Sequence, residues 1–301
     1  MTLASPYLGD GASGGRYQRT VHGWVDAPRE DTFAMTVRIV DPRVGIELAA
    51  ETTPSPEYAI RTARGRVLVG EADRIGSNIG DAMAGLAGLT MTAGFGRAAR
   101  EVAGSGPGAP YFVDAAIEVA RLARQVTRLP ASLVARHRAE GARGAWRLDR
   151  QGWVDIPGSC FTYRAESERL FEERVVTSPV PWVLYGPPAG AVRVFNRTKV
   201  GHLETRPDAW HLGQSMFDEV HSFQLWWLVD PVAATVVDAG VSTPRLPYQG
   251  LCSEPQARVR TMVGQRVDAG LRGRLGELVG GPSGCAQLYD LSTDLLKLLA
   301  L

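Results

Sequence analysis

The chain has 301 residues, with 33 Lys+Arg against 32 Asp+Glu and 45% apolar residues. That length supports a substantial core and excludes a disulfide-stapled miniprotein or a disordered tail. A net charge of +1 gives no global pull toward nucleic acid or an anionic membrane, so neither is expected as a partner; a small-molecule substrate or ligand is. From the N-terminus, MTLASPYLGDGASGG lacks a basic stretch followed by an apolar one and reads as a flexible leader. Residues 18–25, 33–40 and 44–52 mix β-branched and aromatic side chains with polar ones between Pro and Asp turns, which predicts three antiparallel strands. Ile75, Ile79, Met83 and Leu86 then recur at helical spacing. A closely packed soluble helix is expected over 79–95, where Gly, Ala and Asp81 argue against a membrane span.

The middle of the chain, 130–190, opens with Arg136, Arg138, Arg143, Arg147 and Arg150, expected to form a solvated helix face. It repeats the GWVDAP of residues 23–28 as GWVDIP at 152–157, and reads either as a linker with its own hairpin or as a cap over a cleft. Strands are expected again at 191–198, 221–229 and 234–242, and Leu288, Leu291, Leu295 and Leu298 mark a closing helix.

Sliding the chain against itself reveals a repeat at an offset of 176 residues. Residues 86–119 lie on 262–295 without a gap, matching Gly88/Gly264, Ala93/Ala269, Gly104/Gly280, Gly108/Gly284 and Asp114/Asp290. Upstream, Phe33 to Asp41 is matched with Phe223 to Asp230. The expected fold is α+β: two tandem copies of a three-stranded antiparallel sheet packed by helices, at 16–129 and 191–301, joined by 130–190.

Common catalytic motifs are absent: there is no Walker-type phosphate loop, no H-E-x-x-H, no C-x-x-C pair and no G-x-S-x-G elbow. Gly94-Phe95-Gly96 superficially fits a dinucleotide fingerprint but lacks a βαβ context. Cys160, Cys252 and Cys285 are too few and too scattered for a disulfide framework and point to a reducing cytoplasm. His202, His211 and His221 fall close together beside Glu204, Asp208, Asp218 and Glu219, without the spacing of a metal motif, and read as a polar hairpin. Trp226 and Trp227 must point to opposite faces of a strand, so one can enter the core while the other lines a pocket.

The stretch VGQRVDAGLRGRLGELVGGPSGCAQLYDL at 263–291 resembles the C-terminal signature of the bacterial family called domain of unknown function 2889. LPYQGLC, ending at Cys252, is similar to that family's Pro-Tyr-x-x-Cys element, and EVHSFQLWWLVDP, containing His221 and Asp230, to its His-bearing strand. The resemblance covers most of 191–301, and the first half looks like a degenerate copy. It implies a His, Cys, Cys, His set at His221, Cys252, Cys285 and position 287, topologically similar to the zinc or iron-sulfur site of NifU-type scaffold proteins. Gln287 departs from that set, so zinc or iron would need another donor.

Without metal, His221 is the expected general acid/base, assisted by Cys252 and Cys285, with Trp226, Trp227, Gln287 and Tyr248 contacting substrate. The expected protein is a cytoplasmic small-molecule enzyme of lyase, isomerase or hydrolase type, free of organic cofactor and acting on an apolar or aromatic substrate. The alternatives are a metal or iron-sulfur carrier and a structural ligand-binding module.

Overall fold

A computed structural model describes residues 15–70, 75, 76 and 78–299; all of the expected leader except Gly15 lies outside them. Strands β1 (Arg16–Arg29), β2 (Thr32–Val40), β3 (Gly45–Thr52) and β4 (Ile60–Val69) form one meander, and β5 (Ala191–Thr205), β6 (Trp210–Asp218), β7 (Ser222–Asp230) and β8 (Thr235–Arg245) another. Antiparallel pairing of β1 with β5 joins them into one eight-stranded sheet, ordered β4-β3-β2-β1-β5-β6-β7-β8. The fold is α+β, but each half has four strands where three were expected, and the halves share a sheet.

The two unexpected strands carry weak alternation. In β4, RTARGRVLV sits at the sheet edge, where arginines replace the outward polar residues and few side chains are buried. In β6, Leu212 and Met216 point inward, but the buried Gln214 between them breaks the apolar period. The upstream match of Phe33 to Phe223 is corrected accordingly, because β2 corresponds in strand order to β6 and not to β7.

Helices α1 (Phe95–Ala103), α2 (Ala109–Leu122), α3 (Ala131–Arg138), α4 (Gly141–Gly152), α5 (Leu271–Leu278) and α6 (Ala286–Lys297) complete the fold. α2 packs on β1, β2 and β3, and α6 on β6 and β7. Their apolar stripes, Phe112, Ala116 and Val119 on one and Leu288, Leu291 and Leu295 on the other, are buried against the sheet. The stripe Ile75, Ile79, Met83 and Leu86 is also buried, but on a helical turn (Ile79–Ala82) and a 3₁₀ turn (Met83–Leu86), not on the single helix expected. Among the described residues no helix is long and apolar enough to cross a membrane. GWVDAP lies within β1 whereas GWVDIP begins at the last residue of α4, so the echo is not a shared strand edge.

Backbone details recur 176 residues apart. Gly88 N–H donates to Ile60 O at 2.8 Å and Gly264 N–H to Val236 O at 2.8 Å; Met91 N–H bonds Tyr58 O at 2.9 Å and Val267 N–H bonds Ala234 O at 2.8 Å. Tyr58 and Ala234 both take positive φ, 47° and 51°, as do Gly88 and Gly264, 85° and 86°. His22 faces Thr198 across the β1·β5 pairing, and these residues are themselves related by the same offset, so a local two-fold axis passes between them.

The helix-covered face of the sheet is not uniformly apolar. At its centre Arg19 and Lys199 meet carboxylates from α2 and α6. Close backbone approach also holds the first half together: a Cβ on Gly65 would lie 2.6 Å from Phe112 Cε1 and 2.8 Å from Gly80 O. Gly65→Ala is therefore expected to cost about 1–3 kcal/mol through overpacking, seen as a lower urea midpoint with an unchanged slope; an unaltered midpoint would show that the turn after β4 gives way freely.

Candidate functional site

A cavity of about 310 Å³ lies between the second half and the middle segment. Its walls come from the last turns of α2 (Arg121, Arg124), the segment from Asp149 to Leu184, the β6–β7 turn, Leu246 to Cys252 and the start of α6. The segment 130–190 is thus helical, with no hairpin, and it covers a cleft. Its arginines are satisfied at the surface: Arg143 and Arg147 pair with Glu168, and Arg150 lies over Trp146.

The tight turn between β6 and β7 builds the most reactive arrangement. Asp218 Oδ1 accepts the backbone N–H groups of Val220 (2.8 Å) and His221 (2.6 Å), an Asx turn that folds the histidine back over the aspartate. His221 Nδ1 then lies 3.1 and 3.2 Å from the two carboxylate oxygens. Arg197, facing inward from β5, closes on Asp218 Oδ2 through Nε (2.8 Å) and Nη2 (2.7 Å). Burial alone would raise the Asp218 pKa, but the His221 and Arg197 charges and hydrogen bonds outweigh it and hold the carboxyl well below its usual range. An ionised carboxylate only accepts, so the Nδ1 proton belongs to His221. Its Nε2 makes no hydrogen bond among the described residues, and His221 lines the cavity.

Cys252, Cys285 and Gln287 line the same cavity as His221, together with Cys160. The strand-order argument thus placed these residues on separate elements that converge. Burial pushes the Cys285 thiol up to about 11 and the Cys252 thiol well above its ordinary value, with Cys160 raised for the same reason. All three are therefore thiols at neutral pH and poor nucleophiles or metal ligands. Cys252 Sγ is 3.1 Å from Thr162 Oγ1, and neither Cys252 nor Cys285 hydrogen-bonds His221 among the described residues. No group of three or more His, Cys, Asp or Glu residues among those described is arranged to hold a metal ion.

The tryptophans and the other histidines lie elsewhere. Trp227 is fully buried in the core, while Trp226 lies across Gly240 on the open face of the sheet. Neither lines the cavity. His202 and His211 share that open face, with Nε2 and Nδ1 3.3 Å apart, far in topology from the inward-facing His221. Tyr248 stands behind the wall, where its hydroxyl donates to Asp149.

Asp149 is the site residue that sequence reasoning missed. It stands on the apolar side of α4 beside Ala145, Trp146 and Leu148, and three phenols donate to it: Tyr163 Oη to Oδ2 (2.6 Å), Tyr185 Oη to Oδ1 (2.6 Å), and Tyr248 Oη to Oδ2. Burial raises its pKa to about 6 against the opposing pull of those hydroxyls. An acid on the buried stripe of a helix otherwise rich in Arg was the available signal.

The two halves differ at this place. In the first, Asp41 Oδ1 likewise accepts two backbone N–H groups, from Arg43 (2.7 Å) and Val44 (2.8 Å), but Oδ2 accepts the hydroxyls of Tyr17 (2.8 Å) and Tyr111 (2.6 Å). Tyr111 stands on α2 where Gln287 stands on α6, 176 residues later. No curated protein and no solved structure matches the chain. The part that contributes His221, Cys252, Cys285 and Gln287 to the cavity, within residues 205–300, matches the family model described as a protein of unknown function (DUF2889).

Proposed function

We propose that the cavity is the site of acid–base chemistry on a small molecule, of lyase, isomerase or hydrolase type, with no organic cofactor. One observation carries this reading: an imidazole fixed through Nδ1 by an ionised Asp218, with Nε2 presented to a largely apolar cavity. His221 is the general base. Asp218 and Arg197 are positioning residues that set its tautomer and hold its ring. Asp149, whose pKa is raised to about 6, supplies the second titrating group, so two groups of different acidity share one enclosure. The thiols are wall residues. In this reading the halves are copies of one unit, of which the second keeps the working cavity, and the protein acts in the cytoplasm.

A turnover screen with small carbonyl, ester and hydroxy-acid substrates tests the proposal. Any activity located in this cavity is expected to fall at least about 100-fold in His221→Ala, whereas Trp226→Ala, on the far side of the sheet, leaves it unchanged. Full turnover in His221→Ala would remove the histidine from the chemistry.

A further inference from the structure

The first half contains a filled counterpart of the cavity, and what fills it points to a ligand. The turn after β2 repeats the turn after β6: Asp41 and Asp218 each receive two backbone N–H groups from the residues two and three places on. From the opposite side, α2 sends Tyr111 to this turn, and its phenol oxygen reaches Asp41 Oδ2 at 2.6 Å. At the equivalent place on α6 stands Gln287, and both Gln287 and His221 line the cavity. The space that a tyrosine ring takes up in the first half is therefore open in the second. At the turn, Val44 of the first half is replaced by His221, which adds a hydrogen-bonding nitrogen where the first half has an alkyl group.

We propose that the cavity binds a phenolic ligand, its ring between α6 and the middle segment and its hydroxyl donating to His221 Nε2. This names a substrate class and rests on the acid–base reading of the site. The polarity of the hydrogen bond follows from the tautomer. Asp218 holds the proton on Nδ1, so Nε2 accepts, and its partner must donate, as a phenol does and an ether or ketone does not. Asp218 itself is already occupied by Arg197, His221 and two backbone groups, so the ligand hydroxyl is directed to the imidazole. Trp153, Ile156, Val180, Leu184, Phe223 and Leu246 supply the apolar wall for the ring. An apolar cavity of roughly 150 Å³ accommodates benzene; at about 310 Å³ this one has room for two fused rings.

The test is binding of 2-naphthol to the full chain, followed by ligand-observed NMR and calorimetry, with naphthalene and 2-methoxynaphthalene as comparisons. The phenol is expected to bind at least about 10-fold more tightly than either comparison, the worth of one hydrogen bond in a closed site. Gln287→Tyr, which installs the first-half residue, is expected to weaken 2-naphthol by at least 10-fold while the protein stays folded by circular dichroism. Should that variant not fold, Gln287→Phe with its smaller demand on the wall and Tyr111→Ala read the same point: 4-methylphenol is expected to raise the melting temperature of Tyr111→Ala more than that of the parent.

His221→Leu is expected to abolish the preference for 2-naphthol over naphthalene. If that preference survives in His221→Leu while Gln287→Tyr still excludes the ligand, the aromatic site stands and the histidine assignment falls. Equal binding of all three compounds overturns the phenol. So does His221-dependent turnover confined to aliphatic substrates, an outcome that leaves the acid–base reading intact.

Discussion

Lys199→Met is expected to lower the free energy of unfolding by about 3–5 kcal/mol, because it removes one cation from a closed set of buried charges. Lys199 Nζ lies 2.6 Å from Glu118 Oε1 and also contacts Asp294. Lys297 holds Asp114 at 3.1 Å and Asp294 at 2.8 Å, Arg19 holds Asp114 at 2.7 Å, and Arg121 meets Glu118, Asp290 at 3.0 Å and Asp294 at 3.3 Å. The set follows the local two-fold: Arg121 on α2 reaches Asp290 on α6, and Lys297 on α6 reaches Asp114 on α2. Burial opposes ionisation, but Lys199 and Arg121 overcome it and hold Glu118 at about 2. Without Lys199, Glu118 and Asp294 face each other in a poorly solvated place.

Because the Glu118 pKa is depressed, its contribution to stability is present above the ordinary value of 4.5 and is lost as pH falls toward about 2. In Lys199→Met that loss should begin at a higher pH. The double variant Lys199→Met/Glu118→Leu removes a cation and an anion together, and should recover most of the deficit. Urea unfolding of the three proteins decides the matter, and a single-variant loss under about 1 kcal/mol would mean that water reaches the cluster.

The repeat in the second part of each half was legible because it is written in glycines whose backbone conformation is fixed, such as Gly88 and Gly264. The Leu288 to Leu298 stripe was legible because one face of α6 is buried. Strands β4 and β6 were not, since an edge strand and a strand with inward Gln214 lack the alternation that marks a half-buried strand. His221, Cys252, Cys285 and Gln287 could be singled out by chemistry and order along the chain. Trp226 and Trp227 could be assigned opposite faces, but the face that meets the cavity is decided by where the middle segment lands, and no local pattern encodes that. Asp218 was visible three residues before His221, yet its role depends on Arg197 from a neighbouring strand. The chain's only two lysines, Lys199 and Lys297, both belong to the buried charge set, an arrangement invisible until α2 and α6 are placed side by side.

Asp149→Asn is expected to gain stability relative to the parent as pH rises, by about 3 kcal/mol between pH 4 and pH 7.5. Burial places the Asp149 pKa at about 6 in the folded chain against an ordinary 3.8, so the folded state holds its proton more tightly than the unfolded state. For a carboxyl shifted upward, the stabilising contribution is complete below 3.8 and is lost as pH rises through about 6. The amide never ionises and escapes that loss.

The cage can serve both forms. Tyr185 Oη, 2.6 Å from Asp149 Oδ1, also lies 3.1 Å from Ala145 O, so when the carboxyl is protonated the phenol can donate to the backbone and accept from the acid. Denaturation of both proteins at the two pH values measures the difference, and parallel curves would show that the three phenols keep Asp149 ionised throughout. The same proton bears on function. If Asp149 is the acid partner of His221, turnover in the parent should show a limb with an apparent pKa near 6, and that limb should vanish in Asp149→Asn while binding of the ligand persists. A limb that survives the substitution would belong to His221 alone, and Asp149 would then be a structural acid whose cost is carried by the tyrosines around it.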